Sequence, residues 1–189
     1  ELTSYFSAGY TDNVFVSKLD SSGNYVWARN LHGPLVWGFS VAVDSSGNVY
    51  TTGYYVGTTD LNPNPSETDN IEGAGVFVSK LNSSGNYVWG KGFSDGSARG
   101  TSVAVDSSGN VYTTGWTEGT TDFDPGAGTA NLTSNAGTDV FVSKLDSSGN
   151  YVWARNFGGS TTNNQGRSVA VDSSGNVYIT GAFGGTVDF

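Results

Sequence analysis

Two strings alternate along the chain. Val-Phe-Val-Ser-Lys-Leu-Asx-Ser-Ser-Gly-Asn-Tyr-Val-Trp stands at 14–27, 76–89 and 140–153; Ser-Val-Ala-Val-Asp-Ser-Ser-Gly-Asn-Val-Tyr stands at 40–50, 102–112 and 168–178. A fixed period has to be read before any local structure, because it decides the architecture. Asp20 precedes Asn82 by 62 residues, and Asn82 precedes Asp146 by 64. Asp44 precedes Asp106 by 62, and Asp106 precedes Asp172 by 66. The 189 residues therefore read as three copies of one unit, cut open inside a unit.

Each unit predicts four strands. Val, Tyr, Thr, Phe and Trp cluster between Asp-Ser-Ser-Gly-Asn turns, which is the pattern of strands joined in hairpins. Asp opens each turn through its side chain, and Gly takes the positive φ that closes it. No helical period competes. Along the strands Phe15 and Leu19 face one way and Val14, Val16 and Lys18 the other, so both faces carry apolar residues. Such sheets must be covered on both sides, and radial stacking as propeller blades does that. The small Ser-Val-Ala-Val strand suits the crowded axis. The strand with Trp27, Trp89 or Trp153 suits the wide rim.

Ser-Val-Ala-Val-Asp-Ser-Ser-Gly-Asn-Val-Tyr-Thr-Thr-Gly, together with Val-Phe-Val-Ser-Lys-Leu, resembles the bacterial SBBP β-propeller repeat. It is also similar to the NHL propeller repeat. The resemblance implies an all-β propeller of four-stranded antiparallel blades, in a secreted or cell-surface protein of bacterial type. This chain departs from it by a long polar insertion between the second and third strands.

The ends complement each other. Glu1-Leu-Thr-Ser resembles Asn131-Leu-Thr-Ser, and Gly185-Thr-Val-Asp-Phe resembles Gly119-Thr-Thr-Asp-Phe. The whole chain, 1–189, is then one propeller segment. Blades 40–93 and 102–157 are whole; the third is split between 168–189 and 1–31. Propellers have about 4–8 blades, so three do not close a ring. The reading that follows is a homodimer of six blades, each split blade completed by the partner. The competing reading is an excerpt of a longer array, since residue 1 is Glu rather than Met.

The net charge of −9 argues against nucleic acid or an anionic membrane as partner. No apolar run approaches the roughly 18 residues of a membrane span. There is no cysteine. The single histidine, His32, is a poor basis for a catalytic set, and no Gly-x-Ser-x-Gly elbow occurs. No enzyme activity is expected, and no cofactor is required. A hydrolase with a carboxylate pair on the axial face stands third among the readings.

What recurs in phase reads as scaffold. The stretches where copies disagree, at 31–39, 93–101, 157–167, 56–75 and 118–139, are the interaction candidates. The candidate ligand-binding residues are therefore His32, Trp37, Arg99, Trp116 and Arg167, with Arg99 and Arg167 at similar loop positions. Calcium is a candidate ligand of Asp60, Asn62, Asn64, Asp122, Asp124 and Asp188, because alternating Asp/Asn oxygens suit a hard cation. The expected role is a structural or protein-interaction module, with other surface proteins or glycans as partners. A carbohydrate-binding propeller is the alternative.

Overall fold

The computed structural model describes residues 12–94, 97–159 and 163–187. Glu1 to Ser4, on which the matching of the ends partly rests, and Asp188 lie outside the described residues. Every regular element among these residues is a strand. They run β1 (Val14–Leu19), β2 (Tyr25–Leu31), β3 (Leu35–Val43), β4 (Val49–Val56), β5 (Thr59–Asp60), β6 (Asn70–Ile71), β7 (Ala74–Leu81) and β8 (Tyr87–Phe93). Then follow β9 (Ser97–Val105), β10 (Val111–Asp122), β11 (Asn131–Leu145), β12 (Tyr151–Phe157), β13 (Gln165–Val171) and β14 (Val177–Ala182).

Two antiparallel sheets have four strands, in the orders β3-β4-β7-β8 and β9-β10-β11-β12. At either end stands a lone hairpin, β1-β2 before the first sheet and β13-β14 after the second. By sequence phase, β1-β2 is the third and fourth strands of a sheet, and β13-β14 the first and second. The hairpins do not pair with each other.

The variable stretches are less loop-like than their sequence implies. β3 begins at Leu35 and β9 at Ser97, so much of 31–39 and 93–101 is inner strand. The sheets thus start before residues 40 and 102. The insertions differ from one another. In the second sheet β10 and β11 run on beyond the sheet, pairing as far as Asp122 with Asn131. In the first, Gly57 at φ 80 ends β4, and only the short ladder β5-β6 follows.

The Asx-Ser-Ser-Gly-Asn turns share one construction. Asp44 Oδ1 accepts the amides of Ser46 and Asn48, while Oδ2 accepts Asn48 Nδ2 and the Tyr50 hydroxyl. Asp106 repeats this with Ser108, Asn110 and Tyr112. Burial works to raise both carboxyls, but these donors outweigh it and hold them below their ordinary value. Burial, followed by the Asp44 hydrogen bond, pushes the Tyr50 phenol up.

The sheets stack in series, with inner strand β9 packed between β3 and β13. The Val103 amide donates to Ser40 Oγ at 3.2 Å, and the Val169 amide to Ser102 Oγ at 3.2 Å. At the rim, Trp27 Nε1 donates to Ser83 O and Trp89 Nε1 to Ser147 O, both at 3.2 Å. Both of these indoles therefore reach the turn of the following sheet. Two apolar cores fill the seams: one holds Val16, Trp27, Val49, Phe77 and Leu81, the other Tyr50, Trp89, Val111, Phe141 and Leu145.

Candidate functional site

Trp37 on β3 is the cross-strand partner of Tyr54 on β4, and Arg99 on β9 is that of Trp116 on β10. Stacking of the sheets brings these pairs together. The Arg99 guanidinium carbon lies 4.7 Å from the Tyr54 ring centre, 5.4 Å from Trp116 and 5.6 Å from Trp37. A guanidinium over aromatic faces gains about 0.5–2 kcal/mol per well-placed ring. Arg99 thus ties the first sheet to the second. Its Nε is buried without a hydrogen-bond partner. Trp37 Nε1 donates to Asp12 Oδ2 at 2.7 Å.

Three of the five candidate ligand residues, Trp37, Arg99 and Trp116, therefore form one cluster. Tyr54 and Asp12 complete it, and neither was among the candidates. Tyr54 occupies the phase of Trp116, one residue after the strand glycine, and that correspondence was available in the sequence. The Arg99 guanidinium lies against both indoles.

The other two candidates lie elsewhere in the pattern. Pairing skips Phe39, Thr101 and Arg167 at a bulge that recurs in all three inner strands. Arg167 therefore shares the phase of Phe39 and Thr101, while Gln165 shares that of Arg99; the two arginines are not equivalent. Arg167 is exposed on its bulge. His32 exchanges backbone hydrogen bonds with Asp60, and its Nδ1 lies 3.3 Å from Asn30 Nδ2.

The family model of the β-propeller repeat SBBP matches residues 31–54, 90–124 and 152–182. The chain carries SBBP β-propeller repeats. No curated protein sequence matches it. All three SBBP matches begin in the second strand of a hairpin, β2, β8 or β12, and cross into the first two strands of the sheet or hairpin that follows. They span the seams that the indoles and serines join.

The Asp/Asn residues of the SBBP insertions build Asx turns. Asp60 Oδ1 accepts the Asn62 and Asp69 amides, Asn62 Oδ1 the Asn64 amide, and Asn64 Oδ1 the Ser66 amide. Asp122 Oδ1 accepts the Asp124 and Ala130 amides, and Asp124 Oδ1 the Gly126 amide. These acceptors tie each insertion back on itself. Among the described residues no three His, Cys, Asp or Glu side chains converge to hold a metal.

Apolar residues stand exposed at the two lone hairpins. Phe15 is 71% exposed, whereas Phe77 and Phe141 in its phase are fully buried at 0%. Tyr178 is 58% exposed, against 0% for Tyr50 and Tyr112. Leu19, Val41 and Phe183 are likewise exposed where Leu81, Leu145, Val103 and Tyr55 are buried. Beside β1 opens a groove of about 930 Å³, lined by Val14, Val16, Trp37, Phe39 and Val41 among others.

Proposed function

We propose that this SBBP chain is a non-enzymatic propeller module, secreted or displayed at a cell surface, that acts by presenting interaction surface. Its ring is six-bladed and is completed by a second copy. One observation carries the assembly: the apolar residues exposed on the end hairpins are those whose repeat counterparts are buried. Large apolar side chains exposed together mark sites of association, and an unpaired strand edge invites a further strand. Two copies would contribute four whole sheets and two made of halves, within the range of known propellers.

The recognition face in this reading is the end of the inner strands where Trp37, Tyr54, Arg99 and Trp116 gather, because there the copies diverge. Support for a non-catalytic role comes from the carboxylates with shifted acidity. All five lie in the repeated turns, and local donors account for their shifts. Light scattering tests the assembly. A mass of twice 19.7 kDa is expected, and a mass of 19.7 kDa at micromolar concentration overturns it.

The exposed aromatics favour one second reading, a carbohydrate-binding propeller. Glycan-array binding that disappears in Trp116→Ala, with the fold intact, would establish it in place of protein recognition.

A further inference from the structure

The seams between consecutive sheets repeat closely enough to define the joint between chains. This inference rests on the six-bladed reading and adds the pairing that completes the split sheet. At the first internal seam, a Cβ on Gly85 would lie 2.9 Å from the Trp27 ring; at the second, one on Gly149 would lie 3.1 Å from Trp89. The indoles rest on those glycines. The third indole in phase, Trp153, is only half-buried, and its Nε1 has no acceptor among the described residues. The third glycine in phase, Gly23, has nothing within 4 Å. One end of the chain holds an unseated indole and the other an empty seat.

Further contacts are open in the same direction. Lys18 Nζ donates to Ser83 O and Lys80 Nζ to Ser147 O, while Lys144 lacks the corresponding acceptor. A Cβ at Gly47 or Gly109 would meet Ser83 or Ser147 of its own sheet, while one at Gly175 meets nothing within 4 Å. Lys80 and Lys144 stack over Tyr50 and Tyr112, while Lys18 and Tyr178, in the same phases, stand on separate hairpins. Ser40 and Ser102 each accept an amide from the next inner strand; Ser168 would find its donor in the Val41 amide of another copy.

We infer that β14 of one copy enters the groove beside β1 of a second and pairs with it antiparallel, while the Trp153 indole of the first seats on Gly23 of the second. The register is fixed by the whole sheets, where Val49 pairs with Leu81 and Val111 with Leu145. It places Val177 opposite Leu19, Ile179 opposite Ser17 and Ala182 opposite Val14. The occupant is a second copy because the surface continues the seam already made twice within the chain. A slip by one residue would turn the Tyr178 and Phe15 faces the wrong way.

The chain has no cysteine, so an engineered pair reports cleanly. Under mild oxidation the double variant Ser17→Cys/Ile179→Cys is expected to run as a covalent dimer on a non-reducing gel. The slipped pair Val16→Cys/Ile179→Cys should stay largely uncrosslinked. Gly23→Leu should raise the dimer dissociation constant at least tenfold. Gly119→Leu serves as control, since Gly119 also has positive φ and open space but no assigned partner. A native dimer in which the slipped pair links as well, or in which Gly23→Leu and Gly119→Leu behave alike, overturns this joint and leaves the ring standing. A monomeric native chain overturns both.

Discussion

Trp89 lies across the position where Gly149 would carry a side chain. The added Cβ would come within 3.1 Å of the ring, and the glycine holds φ 81. Gly149→Ala combines a left-handed backbone penalty with a displaced indole. A loss of about 1–3 kcal/mol in urea denaturation is expected. Gly119→Ala, with φ 75 and open space, should lose only about 1 kcal/mol.

Arg99 stabilises the seam through its charge as well as its stem. Arg99→Met keeps much of the apolar contact and removes the cation, so a loss of about 1 kcal/mol is expected. Arg99→Ala removes both and should lose about 1–3 kcal/mol. Equal losses in the two variants would show that Arg99 contributes packing alone. Chemical denaturation at fixed protein concentration provides the measurement.

Acid should weaken the fold through its turns. The hydrogen bonds from Asn24 and Asn176 lead in lowering Asp20 and Asp172, as the Asn150 amide does for Asp146. Asp44 and Asp106 are lowered by their donors against burial. A carboxyl depressed in the folded state adds stability above its unfolded value, 3.8, and that stability is lost as pH falls through the folded value. The urea midpoint should therefore be flat between about pH 5 and 7 and fall below about pH 4. Asp146→Asn, which copies the residue found at Asn82, should make that fall shallower.

Thr114 donates its hydroxyl to Phe141 O at 2.7 Å inside the second sheet, and Thr52 does the same to Phe77 O at 2.8 Å in the first. Thr→Val preserves the shape and leaves a buried carbonyl with one fewer donor. Each replacement should lose about 1 kcal/mol, measured by thermal or urea unfolding. The two sites lie in different sheets, so the double variant should lose the sum.

Chelation should leave the melting temperature unchanged. Asp60 and Asp122 already accept two backbone amides apiece through Oδ1, which fixes the insertions by local hydrogen bonds. Differential scanning calorimetry with EDTA, then with added calcium, checks this. A calcium-dependent rise of several degrees would assign these oxygens to a cation instead.

The strands and turns were legible because the repeat states each of them three times. Tyr25, Trp27 and Arg29 alternate with Val26 and Ala28, and the Asp-Ser-Ser-Gly-Asn string announces its own hairpin. The two four-stranded sheets and the two end hairpins followed from phase alone. The Arg99 cluster was half legible: divergence marked Trp37, Arg99 and Trp116, but nothing within one repeat says which side chains of the next will meet them. Asp12 was missed for that reason, whereas Tyr54 follows Gly53 as Trp116 follows Gly115 and was open to a comparison of the copies. Arg167 was paired with Arg99 on loop position alone, whereas counting back from the repeat serines separates them: Arg99 stands three residues before Ser102 and Arg167 one residue before Ser168. For the insertion carboxylates the sequence supports two readings, because an Asx turn and a metal loop use the same residues at the same short spacing.

The recurring indole-to-glycine seam has a direction: each sheet offers an indole forward and a seat backward. A joint of this polarity joins unlike surfaces, and such joints either close into a ring or extend without limit, depending on the angle gained at each step. Two chains that bend too little to close would recruit a third and then a fourth. The twist and wedge of each sheet therefore decide between a discrete particle and a fibre, and substitutions that flatten a sheet should appear first as polymerisation rather than as unfolding.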